Sequence, residues 1–379
     1  MSRNLPAASE LSNSATAVEL VPVSLGDRSY SIEISTGSLS TAARRIKDSL
    51  GDVSHVLMIM DEAVAAPWGA QLQSDCRQEG IRVDAIELAA GEPTKSIEQL
   101  AQLWTWMLES GGDRRSVVVA VGGGVVGDLA GFAAASFTRG IRFVQIPTTL
   151  LAMVDSSVGG KTGINLPGAK NMVGAFWQPA SVLIDSEVLG TLPKRSYLSG
   201  LAEVVKYGVI DDDEFFDWLT VNAGLLVAGD PAAVRYAIRK SCESKARVVG
   251  EDERETSGRR ATLNYGHTFA HAIEATAGYG TLLHGEAVSI GMQMAARLAV
   301  KMGLCNEDVL TRQTSLLQAC ELPVVFADAK IDLMLAAMMR DKKVAHGKLR
   351  FILPTKIGAV EFVSDAPEPL VRESIAQST

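Results

Sequence analysis

The chain has few of the residues that would tie it together covalently or draw it to a polyanion. Its four cysteines, at 76, 242, 305 and 320, stand far apart with no C-x-x-C pair. That spacing argues against a disulfide framework and a thiolate metal site, and for reduced thiols in the cytoplasm. Cations are in deficit, with 36 Lys and Arg against 44 Asp and Glu and a formal charge of -8. Non-specific binding to nucleic acid or to an anionic membrane is thereby disfavoured, and any basic cluster must be local. The first 18 residues are polar and rich in Ser and Ala, without the apolar core of a signal peptide, and are expected to form a disordered extension. One nearly uncharged run, Val117 to Phe137, carries Asp128 and five glycines, so a buried strand, turn and helix explain it better than a membrane span. No internal repeat is found. Histidine is scarce as well, five in all.

Apolar residues are plentiful, 47% of 379, enough for the cores of two domains. The first is organised around VVVAVGGGVVGD, Val117 to Asp128. Four β-branched residues in five predict a buried parallel strand, and Gly122, Gly124 and Gly127 then fit G-x-G-x-x-G ahead of a helix over LAGFAAASF. Glycine reaches φ > 0 and lets backbone approach a phosphate, while the helix start offers unpaired N–H groups and a positive dipole end. A tight strand-to-helix turn with no ligand would show the same pattern. The acidic residue that ends the next strand of a Rossmann unit and holds a ribose is missing. Here that strand, IRFVQI, runs into Pro147-Thr148-Thr149, so a dinucleotide would have to be gripped differently.

Residues 19 to 35 alternate around Gly26-Asp27 as a β-hairpin does, and HVLMIM (55 to 60) and VDAIEL (83 to 88) read as strands. Ser96 to Glu109 has helical spacing with Leu100, Leu103, Trp104, Met107 and Leu108 inward. This alternation predicts a parallel sheet with ligands at the carboxyl ends of strands, where Asp61, Gly91-Glu92 and Thr148-Thr149 fall. From about Leu198 helical periodicity takes over, at 198–209, 212–227, 231–249, 262–276, 285–302, 307–320 and 331–339. One strand pair, LRFILP and AVEFV (349 to 363), interrupts it. The expected fold class is α/β: an N-terminal Rossmann-like parallel-sheet domain over 19–197, followed by a mainly α-helical C-terminal domain over 198–379.

His267, His271 and His284 lie within 18 residues, the first two on one helix face and the third where a new helix starts. Two imidazoles and a carboxylate leave an open position on a zinc-type ion, which suits Lewis-acid chemistry; core histidines that merely hydrogen-bond are the alternative. Glu203 and Lys206, three apart in GLAEVVKYG, offer a third ligand and a cation for an anionic substrate group, or else an ordinary surface ion pair. The stretch DSSVGGKTGINLPGAKN, 155 to 171, reads as a polar loop too long for a mere connector, with Lys161, Lys170 and Asn171 available for phosphate or hydroxyl groups. Arg139, Lys245, Arg259-Arg260 near Asn264, and Lys342-Lys343 would make an anion site if they converge.

Taken together these motifs resemble the 3-dehydroquinate synthase family, over nearly the whole chain from about 20 to 365. The carriers are GGGVVGDLAGFAAASFTRG, QIPTTLLAMVDSSVGGKTGIN, GAKNMVGAFWQP, LAEVVKYG, KARVVGEDERE, LNYGHTFAHAIE, HGEAVSIGM and RDKKVAHGKLRFILP, in that order. The resemblance implies a dehydroquinate synthase-like fold, cytoplasmic and homodimeric, whose first domain binds NAD and whose second binds metal and substrate. It implies Glu203, His267 and His284 as ligands of Zn2+ or Co2+. NAD would lie on Asp61, Glu92, Pro93, Thr94, Lys95, Gly124, Val125, Val126, Gly127, Asp128, Thr148, Thr149, Lys161, Lys170, Val188, Leu189, Gly190 and Thr191. The implied substrate is a sugar acid phosphate, 3-deoxy-D-arabino-heptulosonate 7-phosphate, its phosphate met by Arg139, Asn171 and Lys342 or Lys343 and its carboxylate by Lys245 and Arg260. Asp155, Lys161, Lys206, Lys245, Arg260, Asn264 and His271 make up the implied catalytic set, with Asp155, Asn264 and His271 orienting groups or relaying protons. The implied reaction is a transient oxidation by NAD, phosphate elimination, re-reduction, ring opening and aldol closure.

Arg259 is the alternative to Arg260, which is chosen by counting back four from Asn264. Rival readings are a sugar phosphate cyclase of the sedoheptulose 7-phosphate type, a metal-dependent polyol dehydrogenase, and a catalytically dead nucleotide-binding or scaffold protein. A substrate without a carboxylate would leave the arginine without its partner, and a dehydrogenase would release NADH.

Overall fold

The structure, a computed structural model, describes residues 18–53, 55–167, 169–278, 281–340 and 349–378. Lys342, Lys343 and the expected extension up to residue 17 lie outside the described residues. The chain divides into two compact units: one holds the described residues up to Pro193 together with Lys245–Gly250, the other Lys194–Ser244 and the described residues from Glu251 on. The second unit thus starts at 194 where the sequence reading starts it at 198, and the stretch 245–250 belongs with the first. The reason is local: Lys245 donates from Nζ to the backbone oxygen and Oδ1 of Asp155, at 2.6 and 2.7 Å.

The first unit opens with a hairpin, β1 (Glu19–Val23) and β2 (Tyr30–Ser35), antiparallel with Val23 opposite Tyr30. Helix α1 (Ala42–Leu50) leads to β3 (His55–Asp61), then a single turn α2 (Glu62–Val64), α3 (Ala70–Gln78) and β4 (Arg82–Leu88). Ser96 caps α4 (Ile97–Glu109) by accepting from the Gln99 N–H. Leu100, Leu103 and Met107 are fully buried and Trp104 partly so, but Leu108 is 69% exposed, contrary to expectation. One residue past Met107, it steps off the apolar stripe.

Every residue of β5 (Val117–Gly122) is buried, as a strand covered on both faces must be. Helix α5 (Gly124–Ser136) begins at Gly124, five residues earlier than LAGFAAASF suggests, so Gly127 and Asp128 are helical. None of Gly122, Gly123, Gly124 and Gly127 is among the residues with positive φ. Here glycine is required by close approach: an added Cβ would stand 2.9 Å from Val126 at Gly122, 2.9 Å from Ser156 Oγ at Gly124 and 2.7 Å from Gln145 Oε1 at Gly127.

After β6 (Arg142–Pro147) the expected loop is a π-helical turn, Ala152–Ser156, and then an antiparallel pair, β7 (Lys161–Leu166) and β8 (Ala169–Phe176). Gly163 faces Gly174 across this pair, where the backbones leave no room for a side chain, so a glycine within the expected loop is part of what lets two strands close. With β9 (Ser181–Asp185) the main sheet has the order β1-β2-β9-β6-β5-β3-β4, parallel in every pair except β1–β2. The chain leaves β3 on one side for β4 and returns on the other for β5. Carboxyl ends therefore diverge at a topological switch between β3 and β5, where an α/β sheet opens a crevice.

The second unit is helical: α6 (Lys194–Asp211), α7 (Asp213–Ala228), α8 (Pro231–Glu251, less the stretch named above), α9 (His267–Ala277), α10 (His284–Lys301), α11 (Glu307–Ala319), α12 (Ile331–Arg340) and α13 (Glu368–Ala376). A hairpin of β10 (Arg350–Lys356) and β11 (Ala359–Ser364) joins them. Helix α10 is buried along most of its length, with α6 and α9 packed against it. Gly285 lies so close to the Ser199 carbonyl that a side chain could not be accommodated, and Gly266 combines a φ of 78° with Met292 N 2.8 Å from where its Cβ would be. Among the described residues no helix is long and apolar enough to cross a membrane.

Candidate active site

In the helical unit, Glu203 on α6 and the first residues of α9 and α10, His267 and His284, bring one donor atom each within 4.8 Å of the others. Glu203 Oε1 is 3.6 Å from His267 Nε2 and 3.8 Å from His284 Nε2. These separations exceed hydrogen bonds and approach the roughly 3.4 Å edge of a tetrahedron around an ion bound at about 2.0–2.1 Å. The His267 tautomer is set from behind: Nδ1 lies 3.0 Å from the Tyr265 carbonyl, to which it donates, leaving the Nε2 lone pair toward Glu203. Tyr265 is itself pinned, its hydroxyl donating to Gln313 Oε1 at 2.7 Å. Burial raises that phenol's pKa far above its usual value.

Glu203 is fully buried, and so is Lys206, whose ammonium contacts Glu203 Oε2 one turn along α6. The surface-pair reading of these two is thereby excluded. Lys206 takes one carboxylate oxygen and leaves the other to face the imidazoles. His271 stands edge-on to His267 with ring centroids 5.8 Å apart, and is outside the group of three whose donor atoms converge. The donor set, two imidazole nitrogens and a carboxylate oxygen, fits a zinc-type ion with an open position.

Arg260 and Asn264 sit on a short 3-10 turn, Arg259–Asn264. Arg260 is buried, its Nη1 donating to the Glu253 carbonyl at 2.7 Å, whereas Arg259 points to Glu251 at 2.6 Å and is 36% exposed. The loop between them is folded around Asp252, which accepts from the N–H groups of Thr256, Ser257 and Arg260. Although burial would raise its pKa, those N–H groups win and hold the Asp252 carboxyl down at about 2.

In the sheet unit, the carboxyl edge of β3, β4, β5 and β6 gathers most of the remaining candidates. Asp61 ends β3 and accepts from Ala63 N–H; Glu92, Pro93 and Thr94 form a turn after β4; Thr148 and Thr149 follow β6, with Thr148 N–H bonded to the Gly122 carbonyl. No side chain caps α5, so the N–H groups at Gly124, Val125 and Val126 face that edge. Lys95, 3% exposed, donates to Asp128 Oδ2 and Asn171 Oδ1, each at 2.6 Å. Burial pushes the Asp128 carboxyl up, and Lys95 pulls against it. Asn165 links the pieces: its Nδ2 donates to Glu92 Oε2 at 2.7 Å, and its Oδ1 accepts from Asn171 N–H at 2.9 Å. Asp155 lies in the π-helical turn, against Lys245, and Ser156 beside Gly124. Val188 and Leu189 are buried, in a turn with Gly190 and Thr191 that Asp185 caps after β9, so there it is backbone that could face a ligand.

Not everything converges. Arg139 follows α5 and precedes β6, at the amino edge of the sheet, opposite the cluster. Lys161 starts β7, the end of its hairpin away from Asn165 and Asn171, while Lys170 stands near the Asn171 end. Sequence reasoning passed over Asn165, Ser156, Asp252 and Glu274. Of these only Glu274 carried a readable signal, because it lies seven residues after His267, two turns along the same helix face.

Comparison with known proteins gives the family. Family models described as 3-dehydroquinate synthase N-terminal and C-terminal match residues 85–199 and 200–344. A curated 3-dehydroquinate synthase of Rhodopirellula baltica is 62% identical over 363 residues, 94% of this chain and 97% of that one. The structure of ValA, a 2-epi-5-epi-valiolone synthase from Streptomyces hygroscopicus subsp. jinggangensis with NAD+ and Zn2+ bound, is 31% identical with a TM-score of 0.85, covering 93% of this chain and 98% of that one. A 2-deoxy-scyllo-inosose synthase complexed with carbaglucose-6-phosphate, NAD+ and Co2+ is 26% identical with a TM-score of 0.87, covering 95% and 100%.

Proposed function

Since the chain belongs to the 3-dehydroquinate synthase family, we propose which of its own side chains carry that family's reaction. The protein is a lyase of the shikimate pathway, acting in aromatic amino acid biosynthesis, that converts 3-deoxy-D-arabino-heptulosonate 7-phosphate to 3-dehydroquinate and phosphate. Bound NAD supplies a hydride acceptor that is regenerated, and a bound Zn2+ or Co2+ polarises a substrate oxygen.

Glu203, His267 and His284 hold the ion, and Lys206 engages the second oxygen of Glu203. The carboxyl-edge residues hold the dinucleotide: Asp61, Glu92 to Lys95, Gly124 to Asp128, Thr148, Thr149 and the 188–191 turn, together with Lys161 and Lys170 from the β7–β8 hairpin. A ribose is then gripped by several strand ends in place of one acid. Lys245 and Arg260 take the substrate carboxylate, and burial of Arg260 supports it over Arg259. Asn171 and Lys342 or Lys343 take the phosphate, while Arg139, at the opposite edge of the sheet, is not brought to Asn171 within this chain. Asp155, Asn264 and His271 orient groups or relay protons, and the protein acts mainly by positioning. The cytoplasm is the proposed location. A homodimer is the proposed assembly, supported by Leu166, Met172, Val173 and Phe176, which leave 38–46% of their surface exposed on or beside β7 and β8.

The observation that carries this reading is the convergence of Glu203, His267 and His284 in a chain of this family. Incubation with heptulosonate phosphate, NAD and Zn2+ should release phosphate and 3-dehydroquinate in equal amounts while NADH stays far below product. Stoichiometric NADH would instead make the protein a dehydrogenase. Arg260→Ala should lose about two to three powers of ten in kcat/KM, since a buried bidentate pair is worth about 2–5 kcal/mol. Lysine should rescue only in part. An analogue without the carboxylate should be little affected by the change, and equal loss on both substrates would move Arg260 out of that role.

A further inference from the structure

We propose that Glu274 is a positioning residue that fixes the ring of His284 and sets the affinity of the centre for a divalent cation; this rests on reading Glu203, His267 and His284 as the ligands. Both histidines open a helix, so their backbones are fixed while their rings can still turn. A ligating imidazole needs its other nitrogen engaged, which selects the tautomer and the plane of the ring. For His267 that partner is the Tyr265 carbonyl. His284 is held differently: its Nδ1 faces Glu274 Oε1 at 3.5 Å, and its Nε2 faces Glu203 Oε1 at 3.8 Å. Glu274 reaches it from α9, the helix that begins with His267, and its side chain is only 13% exposed. One helix thus supplies a ligand at its first residue and the orienting group for the other imidazole two turns on.

The Glu274 carboxylate, facing Nδ1 at 3.5 Å, favours the tautomer with its proton there and leaves the Nε2 lone pair toward a cation. A second carboxylate nearby, Glu286, serves a different purpose. It accepts from Arg195 Nε and Nη2, both at 2.7 Å, and from the Leu283 N–H at 2.8 Å, while Arg195 also donates to the Thr281 carbonyl. That clamp fixes where α10 begins, and Glu274 fixes how the ring on its first residue is turned.

The test uses the full chain, depleted of metal by chelator and titrated with Zn2+ against a chromophoric competitor, with Co2+ absorption as a second readout. Glu274→Gln keeps size and packing but not the charge, and should weaken Zn2+ binding by about 10–100-fold. Its Co2+ bands should shift, and the metal-free Tm should stay within about 2 °C of the parent. Glu274→Ala should weaken binding at least as much. Arg195→Ala should lower the metal-free Tm and change affinity less. Unchanged affinity in both Glu274 variants, with the parent binding tightly, would overturn the role of Glu274 and leave the ligand assignment standing. A fall in affinity matched by equal loss of stability in the metal-free protein would assign Glu274 to folding and overturn it too. A parent that binds Zn2+ no better than Glu203→Ala would overturn the ligand assignment, and this inference with it.

Discussion

The helical unit and the sheet unit build their polar clusters in opposite ways. The first uses few side chains, each with a single role, so that Glu203, His267 and His284 converge while Lys206, Tyr265 and Glu274 stand behind them. The second spreads its polar groups over strand ends, turns and a helix start, where backbone N–H groups count as much as Lys95, Asp128, Asn165 and Asn171. A cluster of single-role side chains should fail completely when one is lost. A cluster distributed over backbone should fail by degrees.

The sharpest way to break that contrast is at Glu203. Glu203→Ala removes one of three donor groups and leaves Lys206 buried without it, and breaking a buried ion pair costs about 3–5 kcal/mol. Metal content and turnover should both drop to background, with a matching fall in stability on denaturant titration. Adding Lys206→Met should restore most of the stability and none of the metal, because the stranded charge is gone but the ligand is still missing. If Glu203→Ala retains metal, the helical cluster is not built from indispensable single groups. His271→Ala should keep near-normal metal content and turn over more slowly.

The sheet unit should respond by degrees. Lys95→Met leaves Asp128 desolvated with its strongest cationic partner gone, and should cost about 1–3 kcal/mol of stability, since part of Asp128 still reaches solvent. NAD affinity should fall about tenfold, the equivalent of about 1.4 kcal/mol, as read by calorimetry. A loss of NAD binding as complete as the loss of metal in Glu203→Ala would erase the difference between the two units. Gly124→Ala tests the backbone more finely. Its φ is not positive, so the cost, about 1 kcal/mol or more, should come from Ser156 Oγ at 2.9 Å, and Ser156→Ala in the same chain should recover most of it.

The same contrast explains what could be read from the sequence. Strand runs such as VVVAVG, helical stripes and the spacing of His267 and His284 depend on side-chain type and period, and they are visible in order along the chain. The strand ends at Asp61, Glu92 and Thr148 were placed by topology alone. What escaped depends on contact between distant backbones. Gly163 reads as part of a loop and meets Gly174 between two strands, the glycines at 122 to 127 serve proximity and not positive φ, and Asn165 joins Glu92 to Asn171 across a hairpin whose register no local pattern encodes. Burial escaped too: nothing in GLAEVVKYG separates an exposed i,i+3 pair from one at 0% and 1% exposure.

The smallest expected effect tests whether the helical unit is wholly a matter of side chains. Asp252 departs furthest from that pattern, a carboxylate that gathers the N–H groups of Thr256, Ser257 and Arg260 and so shapes the loop that carries Arg260. Its pKa is held at about 2 in the folded chain, against about 3.9 in an unfolded one. Because the folded value is the lower, Asp252 contributes stability that is fully present above about pH 4 and lost as pH falls toward 2. Asp252→Asn, a neutral side chain with one acceptor oxygen where two now serve three N–H groups, should remove that part of the pH dependence and leave the rest of the acid limb in place. It should also raise KM for the heptulosonate substrate without changing metal content, because Arg260 moves and the ligands do not. An unchanged acid limb in Asp252→Asn would mean the loop is shaped elsewhere, and a fall in metal content would tie the Arg260 loop to the ligand cluster as one unit.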